Sequence, residues 1–137
     1  MTQEEKELLL KDLCTRLPYD CIVECSVSEE AKMDAVLIPE DIAELKEDKI
    51  TIKPYLRPMS SMTEEEFKEL VIVTELMYDQ LELVNWGGVG ILEFYLSEIP
   101  QYCVIKVFDW LNKKQFDYRG LIEQGLALEA PEGMYNE

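Results

Sequence analysis

Residues 20–53 read DCIVECSVSEEAKMDAVLIPEDIAELKEDKITIK, and this stretch decides the fold class. It holds three short apolar runs separated by polar or proline-marked breaks. Asp20–Val27 is rich in small and β-branched side chains and reads as a strand. Ser28 to Asp34 is polar enough for a turn, and Ala35–Ile38 reads as a second strand stopped by Pro39. In Glu40–Asp48, Ile42 and Leu45 can face a core from one helical turn. Lys49–Lys53 alternates polar and apolar, the period-two mark of a half-buried strand. Three short strands with close connections predict a small antiparallel meander whose apolar face needs a helical cover.

The flanks supply that cover. Thr2 and Glu5 have capping-box spacing, and Leu9, Leu10, Leu13, Cys14 and Leu17 recur with helical period, so a helix is predicted over residues 3–16, ended by Pro18. Thr63 and Glu66 repeat the box and predict a helix over 63–78. Pro54 and Pro58 hold Tyr55-Leu56-Arg57 extended between these regions. Asn85–Gly90 is a turn by composition, with a short element expected over 91–96. A further helix starts at Pro100 with Tyr102, Cys103, Val107, Trp110 and Leu111 on one face. Asp117 is expected to cap a last short helix through Gln124, which Gly125 ends. The expectation is one α+β domain over residues 1–130, with about three strands covered by three to four helices, and a flexible tail over 131–137.

The chain has 137 residues, 13 basic and 29 acidic side chains, a formal charge of −16 and no histidine. Lacking imidazole, it has no Ser-His or Cys-His nucleophile and no His-ligated zinc. The charge repels phosphate backbones and anionic lipids, which argues against nucleic-acid and membrane-surface partners. Residues 63–99 hold Lys68 against nine carboxylates. A solvated face accounts for this most simply; a patch for a basic partner, or a mimic of DNA phosphates, is the sharper reading. Met1–Glu5 is acidic where a secretory signal is basic, and no apolar run nears the ~20 residues of a membrane span, so a cytoplasmic protein is expected.

Cys14, Cys21, Cys25 and Cys103 lack paired knuckle spacing and read as buried reduced thiols, with no metal site. Gly87-Gly88-Val89-Gly90 has no lysine or arginine near it to meet a phosphate, so no cofactor is expected. Among 29 carboxylates no catalytic pair stands out. Tyr118 and Arg119, and Tyr55 and Arg57 between the prolines, are candidate interaction anchors, because Tyr and Arg are frequent hot-spot residues. Glu64, Glu65 and Glu69 are the acidic candidates beside them.

Lys53–Glu66 (KPYLRPMSSMTEEE), Trp110-Leu111-Asn112, Phe116–Glu123 (FDYRGLIE) and Gly125–Pro131 (GLALEAP) resemble a family of short proteins of gut Bacteroidales and of their phage and mobile elements. Lys6 to Tyr19 is also similar, whereas about residues 67–99 do not match. The resemblance implies no activity, cofactor or catalytic residue; it implies an accessory protein associated with a mobile element. The functional expectation is therefore a non-catalytic cytoplasmic domain that binds another protein. The alternatives are an acidic DNA mimic that inhibits a DNA-binding protein, and a small carboxylate- or Cys-dependent enzyme.

Overall fold

The computed structural model describes residues 1–74 and 101–135, and the expectations for 75–100 (the end of the second helix, the glycine turn and the 91–96 element) lie outside them. The chain combines helices with a four-stranded mixed sheet, an α+β protein. Its residues group into two compact units, Met1–Leu56 with Leu121–Glu137, and Arg57–Gly120.

In the first unit, α1 (Gln3–Arg16) opens on the predicted capping box. The Thr2 hydroxyl accepts the Glu5 N–H at 3.1 Å, and the Glu5 carboxylate accepts the Thr2 N–H at 2.9 Å. The buried stripe is rotated from the predicted one: Leu9, Asp12, Leu13 and Arg16 are buried while Cys14 is exposed. The sequence places Asp12 and Arg16 four apart on the inward face, where the guanidinium grips the carboxylate through two bonds of 2.8 and 3.2 Å. Charged residues are discounted in a hydrophobic pattern, so the pair hid the true face.

Three strands follow: β1 (Ile22–Ser28), β2 (Ala31–Val36) and β3 (Thr51–Leu56), with α2 (Pro39–Lys46) between the last two. Asp41 accepts the Ile38 N–H at the start of α2, whose Pro39 suits a first-turn position. The sheet order is β2-β1-β3-β4, where β4 is Leu128–Glu129. This corrects the meander: β1 lies at the centre, because the α2 connection is long enough to carry the chain back past it. β1 pairs antiparallel with both neighbours and β4 pairs parallel with β3. The predicted turn over 28–34 is also corrected. Only Glu29 and Glu30 turn, and β2 begins at Ala31, its polar residues being those of an exposed edge.

Val23, Ile52 and Leu56 of the sheet pack with Leu9, Leu13, Leu45, Leu121 and Leu126. Each fully buried leucine or isoleucine is worth about 1.5–3 kcal/mol against exposure, so this cluster is the main stabilising element of the unit. The helix expected over 117–124 is a run of turns. Gly120 at φ +72° cannot continue a right-handed helix, and the Leu126 N–H closes back on the Leu121 carbonyl, putting both leucines in the core. Gly125 adopts the expected left-handed conformation at φ +75°.

Tyr135, in the segment expected to be a flexible tail, is tied to the sheet, as is Ala130 just before that segment. The Ala130 N–H bonds the Leu56 carbonyl at 2.8 Å, and the half-buried Tyr135 reaches the β1–β3 seam. The direct ladder stops at Val23 opposite Pro54, which has no N–H. One step on, where Ile22 faces Tyr55, the Tyr135 hydroxyl accepts the Ile22 N–H at 2.9 Å and donates to the Tyr55 carbonyl at 2.7 Å. A side chain thus stands in for a missing rung.

In the second unit, α3 (Glu64–Thr74) again opens on its predicted box, with Thr63 and Glu66 exchanging two bonds of 3.1 Å. It packs against α4 (Gln101–Lys113). The Arg57 backbone forms an isolated parallel bridge to Phe116, donating to the Gln115 carbonyl and accepting from the Asp117 N–H, each at 2.8 Å. Phe116 in turn stacks on Trp110 with ring centres 5.7 Å apart.

Candidate functional site

The candidate anchors mostly hold the second unit together. The Arg57 guanidinium lies 4.3 Å over the Phe116 ring and makes two 2.6 Å bonds to the Glu66 carboxylate, a planar fork fully committed within the unit. Burial pushes the Glu66 carboxyl up, but the bonds from Arg57 and Thr63 outweigh it and hold the group below its ordinary range. Tyr118 is 4% exposed, donates to Asn112 Oδ1 at 2.8 Å, and has its ring 5.1 Å from that of Phe108. It is a core residue; Arg119 covers its ring at 4.8 Å. Glu69 accepts from Trp110 Nε1 at 3.3 Å and lies 3.6 Å from Lys114. Glu64 lies 3.6 Å from Lys68, a surface pair, and Glu65 is exposed beside it on the first turn of α3. Arg57 and Tyr118 thus spend their polar groups inside the unit, whereas Glu64, Glu65 and Glu69 stay exposed.

Tyr55 belongs to the first unit and leads to a different surface. The β1–β2 register sets Ser26 opposite Lys32 and Glu24 opposite Asp34, and the β1–β3 register sets Glu24 opposite Lys53. By strand alternation, Glu24, Ser26, Lys32, Asp34, Lys53 and Tyr55 therefore share the face of the sheet that points away from the leucine core. The Tyr55 hydroxyl donates to Asp34 Oδ1 at 3.0 Å, reaching across β1. Burial first, then the bond to Asp34 and the charges of Asp34 and Glu24, raise the Tyr55 hydroxyl above its usual range, so it stays a proton donor.

Beside this face runs an open edge. No described strand pairs with the outer side of β2, and all of β2 but Ala35 is exposed. Exposed large apolar side chains lie along the strand and at its ends: Met33 is 65% exposed and Val36 48%, on opposite faces, with Val27 at 75% beside the start of β2 and Ile38 at 48% beyond its end. Among the described residues only Met1 and Ile105 add to the exposed large apolar residues. Val27 sits at the register shift between Ser26 and Ser28, a bulge that leaves its side chain outward. Residues 31–36 carried a signal for this edge, since Ala31-Lys32-Met33-Asp34-Ala35 alternates apolar and polar with period two. The signal was lost because polar residues at alternate positions also suit a turn.

The other features offer less chemistry. A shallow depression open to solvent runs from Ser26–Glu29 to Asp48–Thr51. Its Asp48 side chain is 80% exposed and bonded to Lys6 at 2.7 Å, so no desolvated acid sits in it. Among the described residues no three of His, Cys, Asp and Glu gather in a metal-binding group. Cys21 is buried and Cys25 half-buried; burial pushes the Cys21 thiol up to about 11, away from a reactive thiolate. No described helix is long and apolar enough to cross a membrane. No family profile, curated protein or solved structure matches the chain.

Proposed function

We propose that the protein is a non-catalytic protein-binding module that engages a polypeptide through the outer edge of β2. The observation that carries this reading is that β2 is an exposed outer strand with no partner among the described strands, with Met33 and Val36 exposed along it and Val27 and Ile38 exposed at its two ends. An edge strand presents a row of backbone donors and acceptors, and apolar side chains beside it add contact area that water does not repay. The accessory role implied by the family resemblance, and a cytoplasmic site of action, belong to the same proposal.

Site-directed photocrosslinking tests it. A photoreactive residue at position 33 is expected to capture a polypeptide in lysate of the cells that encode the protein, and one at the exposed Lys11 of α1 is not. Val36→Asp is expected to abolish the capture with an unchanged circular dichroism spectrum. Equal capture from both positions, or none from position 33, would refute the reading.

A further inference from the structure

We infer that the occupant of the β2 edge is a second copy of this chain, paired antiparallel through β2 about a twofold axis at Met33; this rests on the edge being a binding surface. The argument is one of register. For two copies to form one continuous sheet with their cores on the same side, residues opposed across the new seam must belong to the same face of the strand. An axis between two residues violates this, because it opposes the Lys32 and Asp34 face to the Met33 and Ala35 face. The axis therefore passes through a residue.

Four interior choices exist, of which Ala35 sets Asp34 against Val36 and Lys32 against Ile38, charge against apolar side chain. At Lys32, lysine faces lysine and Glu30 faces Asp34. At Asp34, carboxylate faces carboxylate. At Met33, Lys32 of each copy faces Asp34 of the other, Ala31 faces Ala35, and the two Met33 side chains meet. Opposite charges directly across a seam stabilise and like charges destabilise, so one register out of four is favoured. Asp34 is already oriented by the Tyr55 hydroxyl, on the face where Lys32 of the other copy arrives. The strand itself, Ala31–Val36, has one lysine and one aspartate and is neutral within a chain of charge −16. The result is an eight-stranded sheet in which the exposed Met33 of each copy is covered.

The salt response separates this partner from a basic one. Two chains of −16 repel over a Debye length that shrinks from ~30 Å at 0.01 M salt to ~8 Å at 0.15 M. Self-association therefore tightens as salt rises over this range, whereas a basic partner is released.

Sedimentation velocity on the full chain, up to millimolar concentration, tests the pairing. The wild type is expected to form a concentration-dependent dimer. Lys32→Asp and Asp34→Lys are each expected to weaken it about tenfold or more, from two lost pairs and new like-charge contacts. Mixing the two single variants is expected to give a heterodimer, and the double variant K32D/D34K to restore the homodimer. These residues are exposed, so thermal melts near the wild type confirm folding. A chain that stays monomeric, or a dimer indifferent to both swaps, overturns the inference. A monomer whose position 33 still crosslinks another polypeptide overturns it while leaving the binding edge in place; a monomer with no crosslink removes both.

Discussion

Replacing Tyr135 with phenylalanine removes one oxygen and keeps the ring, which isolates the rung that this hydroxyl supplies. The hydroxyl makes two good bonds to the backbone, 2.9 Å from Ile22 N and 2.7 Å from Tyr55 O. A net intramolecular hydrogen bond is worth about 0.5–1.5 kcal/mol, and an orphaned buried backbone group costs about 1–3 kcal/mol. Tyr135 is half-buried, so water can reach part of the seam and the lower figures apply. The expected loss is about 2 kcal/mol, read in urea unfolding as a lower midpoint at unchanged slope. For a chain of this size the same loss lowers Tm by roughly 5–10 °C. Truncation after Ala130 removes the ring as well and is expected to cost more than Tyr135→Phe. A Tyr135→Phe protein within about 0.5 kcal/mol of the wild type would refute the reasoning, since changes away from such features fall in that range. Equal stability of the truncated chain would refute it independently.

Other outcomes follow from the buried and paired groups. Burial raises Cys21 from 9.0 to about 11, and the Tyr135 hydroxyl is raised by burial and then by Cys21. The stability that the neutral thiol confers is whole below pH 9 and is lost as pH climbs through about 11, up to about 2–3 kcal/mol. Cys21→Ala is expected to flatten this alkaline limb in melts taken from pH 8 to 11. On the acid side, Glu66 sits below the ordinary glutamate value of 4.5, so its contribution is full above that value and fades as pH falls through the lower folded one; Glu66→Gln is expected to reduce the slope of stability there. Arg16→Met leaves the Asp12 carboxylate buried without its guanidinium and is expected to cost about 3–5 kcal/mol, while Asp12→Leu with Arg16→Met recovers much of it in urea titrations. Thr63→Ala is expected to remove about 1 kcal/mol through the lost cap of α3.

What the sequence revealed depended on how local the deciding interaction was. Both capping boxes joined residues three apart, and both formed as expected. Gly125 served its left-handed role because φ is a property of one residue. Features set by distant partners were hidden. Nothing near Tyr135 in the chain announces that its hydroxyl meets Ile22, over a hundred residues away. Arg57 and Tyr118 have the composition of surface anchors, yet Phe116, Glu66 and Asn112 consume their polar groups. Asp12 and Arg16 were passed over for the opposite reason, since the pattern takes charge as a mark of the surface. The sheet order also needed tertiary information, because three strands in sequence can be laid down in more than one spatial order.

The make-up of β2 bears on why such an edge is tolerable in a folded chain. Natural edges are protected by short strands, lysines and bulges, because a flat apolar edge recruits any passing strand. β2 carries two of these, Lys32 at its second position and a bulge opposite its start, in a strand of ordinary length. A lone lysine would make the edge hostile to every neighbour, since burying it beside an apolar or like-charged residue is penalised. Asp34 two residues on, on the same face, changes that penalty into a rule of selection. A strand is accepted when it offers a carboxylate opposite Lys32 and a cation opposite Asp34, and antiparallel β2 offers both. The two carboxylates of the turn, Glu29 and Glu30, oppose continuation of the pairing beyond the strand, and the chain's excess of acid keeps other encounters brief. Against the negative charge that argues against nucleic acid, Ala31–Val36 is neutral, which suits it to the docking of an identical chain.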